Sequence, residues 1–157
     1  MNGDAFCIEP QPGEALQAEV ADLAVRVAAL EASSPNVPET AGIALAIGTS
    51  LYRAGSGKML VEDGTYGALR DAFAGFATSA ASGDGQPVKV AGNGGIATGL
   101  SGITAGEGYY VSANVIIAES ALVAWLATAI AGTWYRFVGT GRSSSEIKQA
   151  WGEPQQV

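Results

Sequence analysis

A short heptad repeat near the start of the chain constrains its structure more than any other feature. Within the run EALQAEVADLAVRVAALEA, leucine and valine recur at spacings of four, three, four and three, at Leu16, Val20, Leu23, Val27 and Leu30. Valine at the a positions and leucine at the d positions is typical of a helix in a parallel coiled coil. At 1.5 Å per residue, the run predicts about 25 Å of helix that associates with copies of itself.

The residues around this repeat leave the number of helices open. Arg26 falls at a g position and Glu31 at the following e position, so the pair can bridge two parallel helices. Val at a with Leu at d favours dimers in isolated peptides, whereas the domain that follows can impose a trimer. Val25 lies at an f position, which should face water, and so favours the alternative of an amphipathic helix packed on its own domain.

Prolines mark the clearest boundary in the chain. Pro35 and Pro38 forbid continuation of the helix and stiffen the connection that follows it. Upstream, Pro12 and Gly13 stop the helix from extending towards the N-terminus. The predicted organisation is therefore an extended arm (1–13), a coiled-coil helix (14–33), a Pro-containing linker (34–40), a β domain (41–150) and a tail (151–157).

Beyond the linker the hydrophobic period changes from helical to strand-like. Ile43, Leu45 and Ile47 alternate with small residues, and Val88 and Val90 should share one face of a strand over 86–90. Glycine is abundant, with 22 residues, and many glycines stand in turn motifs between these runs. Seven to nine short strands are expected, so the fold class is mainly β: a small antiparallel β-sandwich or barrel after the coiled coil.

The most apolar run, residues 115–131, predicts a buried strand followed by a short helix. It contains Glu119 and Ser120 and is too short for a membrane span. We expect Glu119 to be a buried acid with a shifted pKa, an acid at a strand end facing water, or a partner of Arg136.

Charge and composition argue against several classes of protein. The net charge is −7 with eight basic residues and no basic block, which argues against nucleic-acid binding and against attraction to a membrane surface. Cys7 is the single cysteine, so no intrachain disulfide can form. The first ten residues lack the basic and apolar segments of a signal peptide.

The chain offers little for catalysis. It contains no histidine, and one cysteine cannot build a zinc site. The Gly55-Ser56-Gly57-Lys58 run lacks the first glycine and the Ser/Thr of a phosphate-binding loop, so a hairpin turn is the better interpretation. Glu62 and Asp63 should point to opposite faces of a strand. We predict no catalytic residue, no metal and no cofactor, with an enzyme that uses a carboxylate pair as the weakest alternative.

Two blocks of the sequence carry a resemblance. The first joins Val88-Lys89-Val90-Ala91-Gly92 to the run GLSGITAGEGYYVS over 99–112, and the second is VGTGRSSSEI over 138–147. They resemble the small β domains of tailed-phage capsid decoration proteins and of head or tail fibres. The resemblance covers roughly 44–149. It departs from that group at Ala105, where proline is usual, and at 115–133, which is more apolar and would pack at the oligomer axis.

The resemblance implies a viral protein of the virion: a bacteriophage capsid decoration protein, similar to a head fibre, that decorates or cements the capsid as a homotrimer. Its partners would be itself and the major capsid protein, and it would be made in the host cytoplasm and displayed on the capsid surface. The arm would grip the shell through its apolar and proline residues, Phe6, Ile8, Pro10 and Pro12.

A receptor-binding fibre tip is the alternative function. In that case the helix would be a stalk, and aromatic side chains of the β domain would stack on glycans. The candidate aromatic residues are Tyr109, Tyr110, Trp125, Trp134 and Tyr135.

Overall fold

The computed structural model describes residues 12–32, 36–70 and 72–157, and these residues contain three helices and eleven strands joined by turns and loops. The helices are α1 (Pro12–Ala32), α2 (Tyr66–Arg70) and α3 (Glu119–Leu126). The strands are β1 (Asn36–Thr40), β2 (Ser50–Arg53), β3 (Met59–Val61), β4 (Phe73–Ala77), β5 (Pro87–Ala91), β6 (Ile96–Ala97), β7 (Gly108–Ser112), β8 (Val115–Ala118), β9 (Trp134–Ser143), β10 (Glu146–Gln149) and β11 (Pro154–Gln156). The protein is therefore mainly β with an N-terminal helix, as the sequence predicts.

The chain divides into two compact units, Met1–Ser33 and Ser34–Val157. Helix α1 belongs to the first unit and begins at Pro12, two residues before the predicted start. Proline is well suited to the first helical position, where its missing N–H has no intrahelical partner. The other residues assigned to the capsid-gripping arm, Phe6, Ile8 and Pro10, lie outside the described residues, as does Cys7.

The second unit contains two antiparallel sheets. In the first sheet the strand order is β1-β5-β4-β2-β3. Strand β1 contains residues that we expected in the linker, and it pairs with β5 along its whole length, from Asn36 opposite Ala91 to Thr40 opposite Pro87. Pro38 is compatible with this pairing because β1 lies at the sheet edge, where a missing N–H can face solvent.

The second sheet has the order β6-β10-β9-β7-β8, and β11 also pairs with β9. Strand β9 is ten residues long and runs through residues 139–142, although their sequence Gly-Thr-Gly-Arg has the composition of a turn. Its first residues pair with β11, so residues 151–157, which we expected to be a tail, include a strand of this sheet. The predicted strand over 86–90 is confirmed as β5.

The two sheets contribute to one hydrophobic core. Phe73 and Phe76 of the first sheet lie in the same buried cluster as Tyr109, Val111 and Val138 of the second. This shared cluster holds the sheets together, because separating them would return these large apolar side chains to water.

A second buried cluster covers the other face of the first sheet. Val88 and Val90 lie together in it, which confirms that they share one face. The strand expected over 43–47 is absent from the described structure: Leu45 reaches the second cluster from a loop, whereas Ile43 and Ile47 are exposed. Alternation of apolar and small residues was therefore misleading here.

Glycine is required at two positions where strands approach closely. Gly75 in β4 has a φ of 112°, and a Cβ at this position would overlap the carbonyl oxygen of Ala91. Gly139 in β9 has a φ of 145°, and a Cβ there would overlap the carbonyl oxygen of Lys148. Both conformations are available to glycine but not to residues with a side chain.

Candidate functional site

The apolar ridge of α1 is exposed to solvent along its described length. Leu16, Val20 and Leu23 are 62%, 60% and 58% exposed, and Arg26 is exposed as well. Val25, at the f position, is 67% exposed. The side chains of Val27, Leu30 and Glu31 lie outside the part of the chain that the structure describes. Leucine and valine at heptad spacing, presented to solvent, form a surface that a second helix can cover.

A buried carboxylate lies where the first sheet meets the β7–β8 turn. Glu62 follows β3 directly and is 1% exposed. Its Oε1 accepts a hydrogen bond from the backbone N–H of Gly64, and its Oε2 accepts one from the backbone N–H of Asn114 at 3.0 Å. Burial raises the pKa of Glu62 above its ordinary value, while the backbone donors oppose this shift.

The side chain of Asn114 extends the same network into β2. Its Oδ1 accepts hydrogen bonds from the backbone N–H and from the hydroxyl of Ser50, both at 2.9 Å. Ala113 and Asn114 have φ values of 46° and 60°, the left-handed conformation of a tight turn between β7 and β8. The network therefore attaches this turn to the first sheet.

The chemistry of this network favours a structural role. The proton of the Ser50 hydroxyl is donated to an amide oxygen, so no base activates it as a nucleophile. Asp63 is exposed whereas Glu62 is buried, although neither acid lies in the strand that we expected, because β3 ends at Val61. Its Oδ1 accepts hydrogen bonds from the N–H and the hydroxyl of Thr65, at 3.0 and 2.7 Å. These two acids are therefore not arranged as a catalytic pair.

Sequence analysis did not single out Glu62 as the buried acid. For Glu119 it left three possibilities open, and the structure matches that of an acid at a strand end facing water: Glu119 is exposed and directly follows β8 as the first residue of α3. Arg136 donates to the carbonyl oxygens of Leu69 and Gly152, at 2.5 and 2.8 Å. A signal for Glu62 was present: an acid directly after the short apolar strand MLV and two residues before Gly64.

One pocket of about 360 Å³ lies between two loops and the β7–β8 hairpin. Of the seven residues that line it, none is charged: Ile47, Gly48, Gly99, Leu100, Ser101, Asn114 and Ile116. Such a lining offers little that would orient a polar substrate or hold a metal ion.

The aromatic residues proposed for glycan stacking do not form a common exposed surface. Tyr109 and Tyr135 are 2% and 7% exposed, and Tyr109 lies in the shared core. Tyr110 and Trp125 are half-buried and pack against Tyr135, with ring centroids 5.9 and 5.6 Å apart. Trp134 instead packs on Tyr66 at 4.4 Å. Buried rings cannot stack on a sugar, so few of the five remain available.

The strand and the short helix expected over 115–131 are confirmed as β8 and α3, but the strand, expected to be buried, is buried only at Ile117. The helix is exposed. None of its eight residues is buried, and Val123 is 79% exposed. Ser120, in the first turn of α3, donates its backbone N–H to Glu107 at 3.2 Å and also its hydroxyl to the same carboxylate. These hydrogen bonds from Ser120 lower the pKa of Glu107 and hold the first turn of the helix in place.

The two sequence blocks that carry the resemblance pack against each other. Leu100 and Ile103, in the first block, donate their backbone N–H groups to the carbonyl oxygens of Ser145 and Ser144, at 3.1 and 3.3 Å. Both side chains are buried in the shared core. Three glycines of this block adopt positive φ, which confirms their predicted role in tight turns: 73° at Gly99, 71° at Gly102 and 85° at Gly106. The blocks therefore form one structural unit.

The described residues contain neither a cluster of metal ligands nor a helix that could span a membrane. Within the described residues, no group of three or more histidine, cysteine, aspartate or glutamate side chains is placed to hold a metal ion. None of the helices in this part of the chain combines the length and apolarity needed to cross a membrane.

No protein-family model matches the chain, and no curated protein or solved structure is significantly similar to it.

Proposed function

We propose that this chain is a structural virion protein that decorates or cements a phage capsid as a homotrimer. The observation that carries the proposal is the exposed ridge of Leu16, Val20 and Leu23 on α1, in a chain whose β domain has its own buried core. Exposing each of these side chains forgoes about 1.5–3 kcal/mol of burial free energy, so association with identical helices is favoured. Three such helices would form a parallel coiled coil.

In this proposal the two antiparallel sheets form the β-sandwich that gives each subunit its bulk. The Ser50–Asn114–Glu62 network and the paired motif blocks serve rigidity rather than catalysis, because their polar groups are hydrogen-bonded to one another. A rigid domain suits a protein that must remain attached to a particle surface.

The capsid contact would be made by the arm that precedes α1. Phe6 and Ile8 would be its apolar anchors, with Pro10 keeping the segment extended, whereas Pro12 begins α1. Three arms on one trimer would bind neighbouring capsid subunits together, and this multivalency would give high avidity from small individual contacts.

The mass of the purified protein in solution tests the trimer. We expect the wild type to be trimeric and L16E/L23E, which places two charges on the ridge, to be monomeric. The matched control A18E/V25E adds the same charges at f positions of the same helix and should remain trimeric. A monomeric wild type, or an L16E/L23E variant with the wild-type mass, would overturn the trimeric coiled coil.

Co-sedimentation with empty capsids of the virus that encodes the chain tests the attachment. Deleting residues 1–11 should abolish binding while leaving the trimer intact, because α1 begins at Pro12. Undiminished binding by the truncated trimer would refute the role of the arm, and failure of the wild type to bind would refute capsid decoration itself.

The alternative of a glycan-binding fibre tip has weaker support, since Tyr109 and Tyr135 are buried. Trp134 and Tyr66 are the most plausible remaining pair, because both are half-buried and in contact. Saturable binding of the wild type to an immobilised glycan, lost in W134A, would favour this alternative over capsid decoration.

A further inference from the structure

Helix α3 is attached to the rest of the β domain by few contacts. None of its eight residues is buried, and it follows β8 without a break. Ala118 stands at its N-cap, and alanine has no side chain that accepts a hydrogen bond from the first helical turn. Trp125 makes a ring contact with Tyr135 of the second sheet, with the two centroids 5.6 Å apart. Little buried apolar area therefore holds this helix in place, as is typical of elements that open locally.

The missing cap is supplied by Glu107, from the loop before β7. Its Oε1 accepts a hydrogen bond from the backbone N–H of Ser120 at 3.2 Å, and it also accepts one from the hydroxyl of Ser120. A carboxylate in this place satisfies an N–H group that has no partner within the helix, and its charge interacts favourably with the positive end of the helix dipole. Glu107 therefore acts as the N-cap of α3, although it is not adjacent to the helix in sequence.

The loop that carries Glu107 is fixed to β9. The backbone N–H of Gly106 donates to the carbonyl oxygen of Gly141, and the N–H of Gly141 donates to the carbonyl oxygen of Glu107, both at 2.8 Å. The hydroxyl of Tyr109 also donates to Oε2 of Glu107, at 3.3 Å. Because a strand of the sheet holds the carboxylate, loss of its hydrogen bonds to Ser120 would free the helix rather than the loop.

The contact of α3 with the second sheet lies on a group of aromatic side chains. Tyr135 and Phe137 alternate along β9, and Tyr110 of β7 packs on both, with ring centroids 5.9 and 5.3 Å away. Since Tyr109 lies in the shared core, its neighbour Tyr110 is on the opposite face of the sheet. Tyr110 and Phe137 are half-buried. Displacement of Trp125 together with the helix would therefore increase the exposure of this aromatic group.

We propose that α3 is an acid-released lid: when Glu107 is protonated, the helix detaches from the second sheet and uncovers the aromatic group of Tyr110, Tyr135 and Phe137. A carboxylate accepts charge-assisted hydrogen bonds, which are about twice as strong as neutral ones, so protonation weakens the cap. Protonation also removes the negative charge from the helix N-terminus. This device lies within the β domain and requires neither the trimer nor the capsid contact of the proposed function.

The direction of the pH dependence follows from the hydrogen bonds. The bonds from Ser120 lower the pKa of Glu107 while the helix is docked, and detachment returns it towards its ordinary value of 4.5. The contribution of Glu107 to docking is thus fully present above pH 4.5 and is lost as the pH falls through the lowered pKa of the docked state. Within this window the detached form should increase by at most about tenfold per pH unit.

The other charged and titratable groups around this contact are of two kinds. Phenolic hydroxyls and guanidinium groups keep their protons throughout the acid range, and they belong to Tyr109, Tyr110, Tyr135, Arg136 and Arg142. Glu119, the first residue of α3, is an exposed carboxylate next to Ser120 in sequence. It therefore requires its own control.

The experiment is an acid titration of the full-length protein, from neutral pH to about pH 3, followed by two-dimensional amide NMR spectra. The indole N–H of Trp125, assigned with W125F, and the backbone amides of residues 120–127 report the docking of α3. The backbone amides of β5 report the fold of the domain. In the wild type, the α3 signals should change with a midpoint below pH 4.5, before those of β5.

Three variants assign the transition to Glu107. E107A removes the cap and should detach α3 at neutral pH. E107Q keeps an oxygen that can accept from Ser120 but carries no charge, so its α3 signals should lie between those of the wild type and E107A and show no acid transition. E119Q is the matched control, because it neutralises the carboxylate beside Ser120 and leaves Glu107 in place. It should keep the acid transition of the wild type.

E107A with the α3 signals of the wild type at neutral pH would overturn the proposal, and this arm does not depend on the stability of the domain in acid. An acid transition that persists in E107Q, or that E119Q abolishes, would assign the effect to another group and overturn it as well. If the β5 amides of the wild type change together with those of α3, the domain unfolds as one unit and α3 is not a separate lid.

If E107A does not fold, S120A takes its place. This variant removes the hydroxyl donor and keeps the backbone N–H, so the docked helix should lower the pKa of Glu107 less than in the wild type. The midpoint of the α3 transition should therefore move towards pH 4.5, and an unchanged midpoint would contradict the role of this cap.

Discussion

The Oε2 atom of Glu62 lies 3.0 Å from the backbone nitrogen of Asn114, 52 residues later in the chain. This hydrogen bond joins the end of β3 in the first sheet to the turn between β7 and β8 in the second. It is supported by the two hydrogen bonds that the Asn114 side chain accepts from Ser50. A single buried acid thus connects the two sheets at a point where no strand pairs across them.

Replacing Glu62 with glutamine should destabilise the β domain by about 1–3 kcal/mol. The carboxylate accepts from Gly64 through one oxygen and from Asn114 through the other, whereas an amide has one acceptor and would present N–H to the second donor. Urea unfolding of E62Q measures the effect. E153Q, at an exposed carboxylate, is the control and should remain within about 0.5 kcal/mol of the wild type. Equal stability of E62Q and wild type would show that the network is dispensable.

The pKa of Glu62 predicts a pH dependence of stability. Because burial raises this pKa in the folded state, the folded protein holds the proton at pH values where the unfolded protein has lost it. The contribution of Glu62 to stability is thus fully present below its ordinary pKa of 4.5 and is lost as the pH rises through the raised folded value. Relative to E62Q, the wild type should lose at most about 1.4 kcal/mol per pH unit in this window.

The measurement is the difference in unfolding free energy between wild type and E62Q, taken at several pH values from 4 upwards (about one unit apart, each at the same ionic strength). Subtraction removes the titration of the other acids, including the depressed pKa values of Asp84 and Glu107. A difference that is flat with pH, or that rises with pH, would contradict a raised pKa at Glu62.

Gly75 to alanine should destabilise the first sheet severely, by about 3 kcal/mol or more. The added Cβ would overlap the carbonyl oxygen of Ala91, and the φ of 112° is itself strained for alanine. Gly55 is the matched control because a Cβ there meets nothing within 4 Å. In thermal unfolding, the melting temperature of G75A should therefore be far below that of G55A. Similar melting temperatures would contradict the close approach of β4 and β5.

Arg136 to lysine should cost about 1–3 kcal/mol even though the charge is kept. The guanidinium lies 5.6 and 5.2 Å from the ring centroids of Phe73 and Trp151, and it also donates to Leu69 and Gly152. An ammonium group cannot reproduce this planar arrangement, and burial already lowers the pKa of Arg136.

The control for Arg136 is R26K, because Arg26 is exposed on α1, outside the β domain. Chemical unfolding should leave R26K within about 0.5 kcal/mol of the wild type. If R136K and R26K lost equal stability, the stacking of the Arg136 guanidinium would have no special importance.

Elements set by local patterns could be predicted from the sequence. The heptad spacing located α1 to within two residues, because a helix's hydrogen bonds and its period are local properties of the chain. The alternation of Val88 and Val90 located β5, and the glycines at 99, 102 and 106 marked tight turns for the same reason.

Features set by distant contacts could not be predicted. Gly139–Arg142 resembles a turn locally, yet it continues β9 because its glycines allow β10 and the loop at Thr104 to approach closely. Pro38 looked like part of a linker, but β5, some fifty residues later, recruits it into an edge strand. The burial of Glu62 could not be predicted from its neighbours in the sequence, because its hydrogen-bond partner Asn114 comes close only after folding.

The amino-acid sequence by itself determined an acidic, mainly β chain with an N-terminal Leu/Val helix, because charge, period and turn chemistry are properties of neighbouring residues. The tertiary structure alone decided which strands pair, which acid is buried and which side of α3 is exposed. These features depend on contacts between residues that are far apart in the chain. Such contacts stabilise the protein only when the two sheets pack together around their shared core.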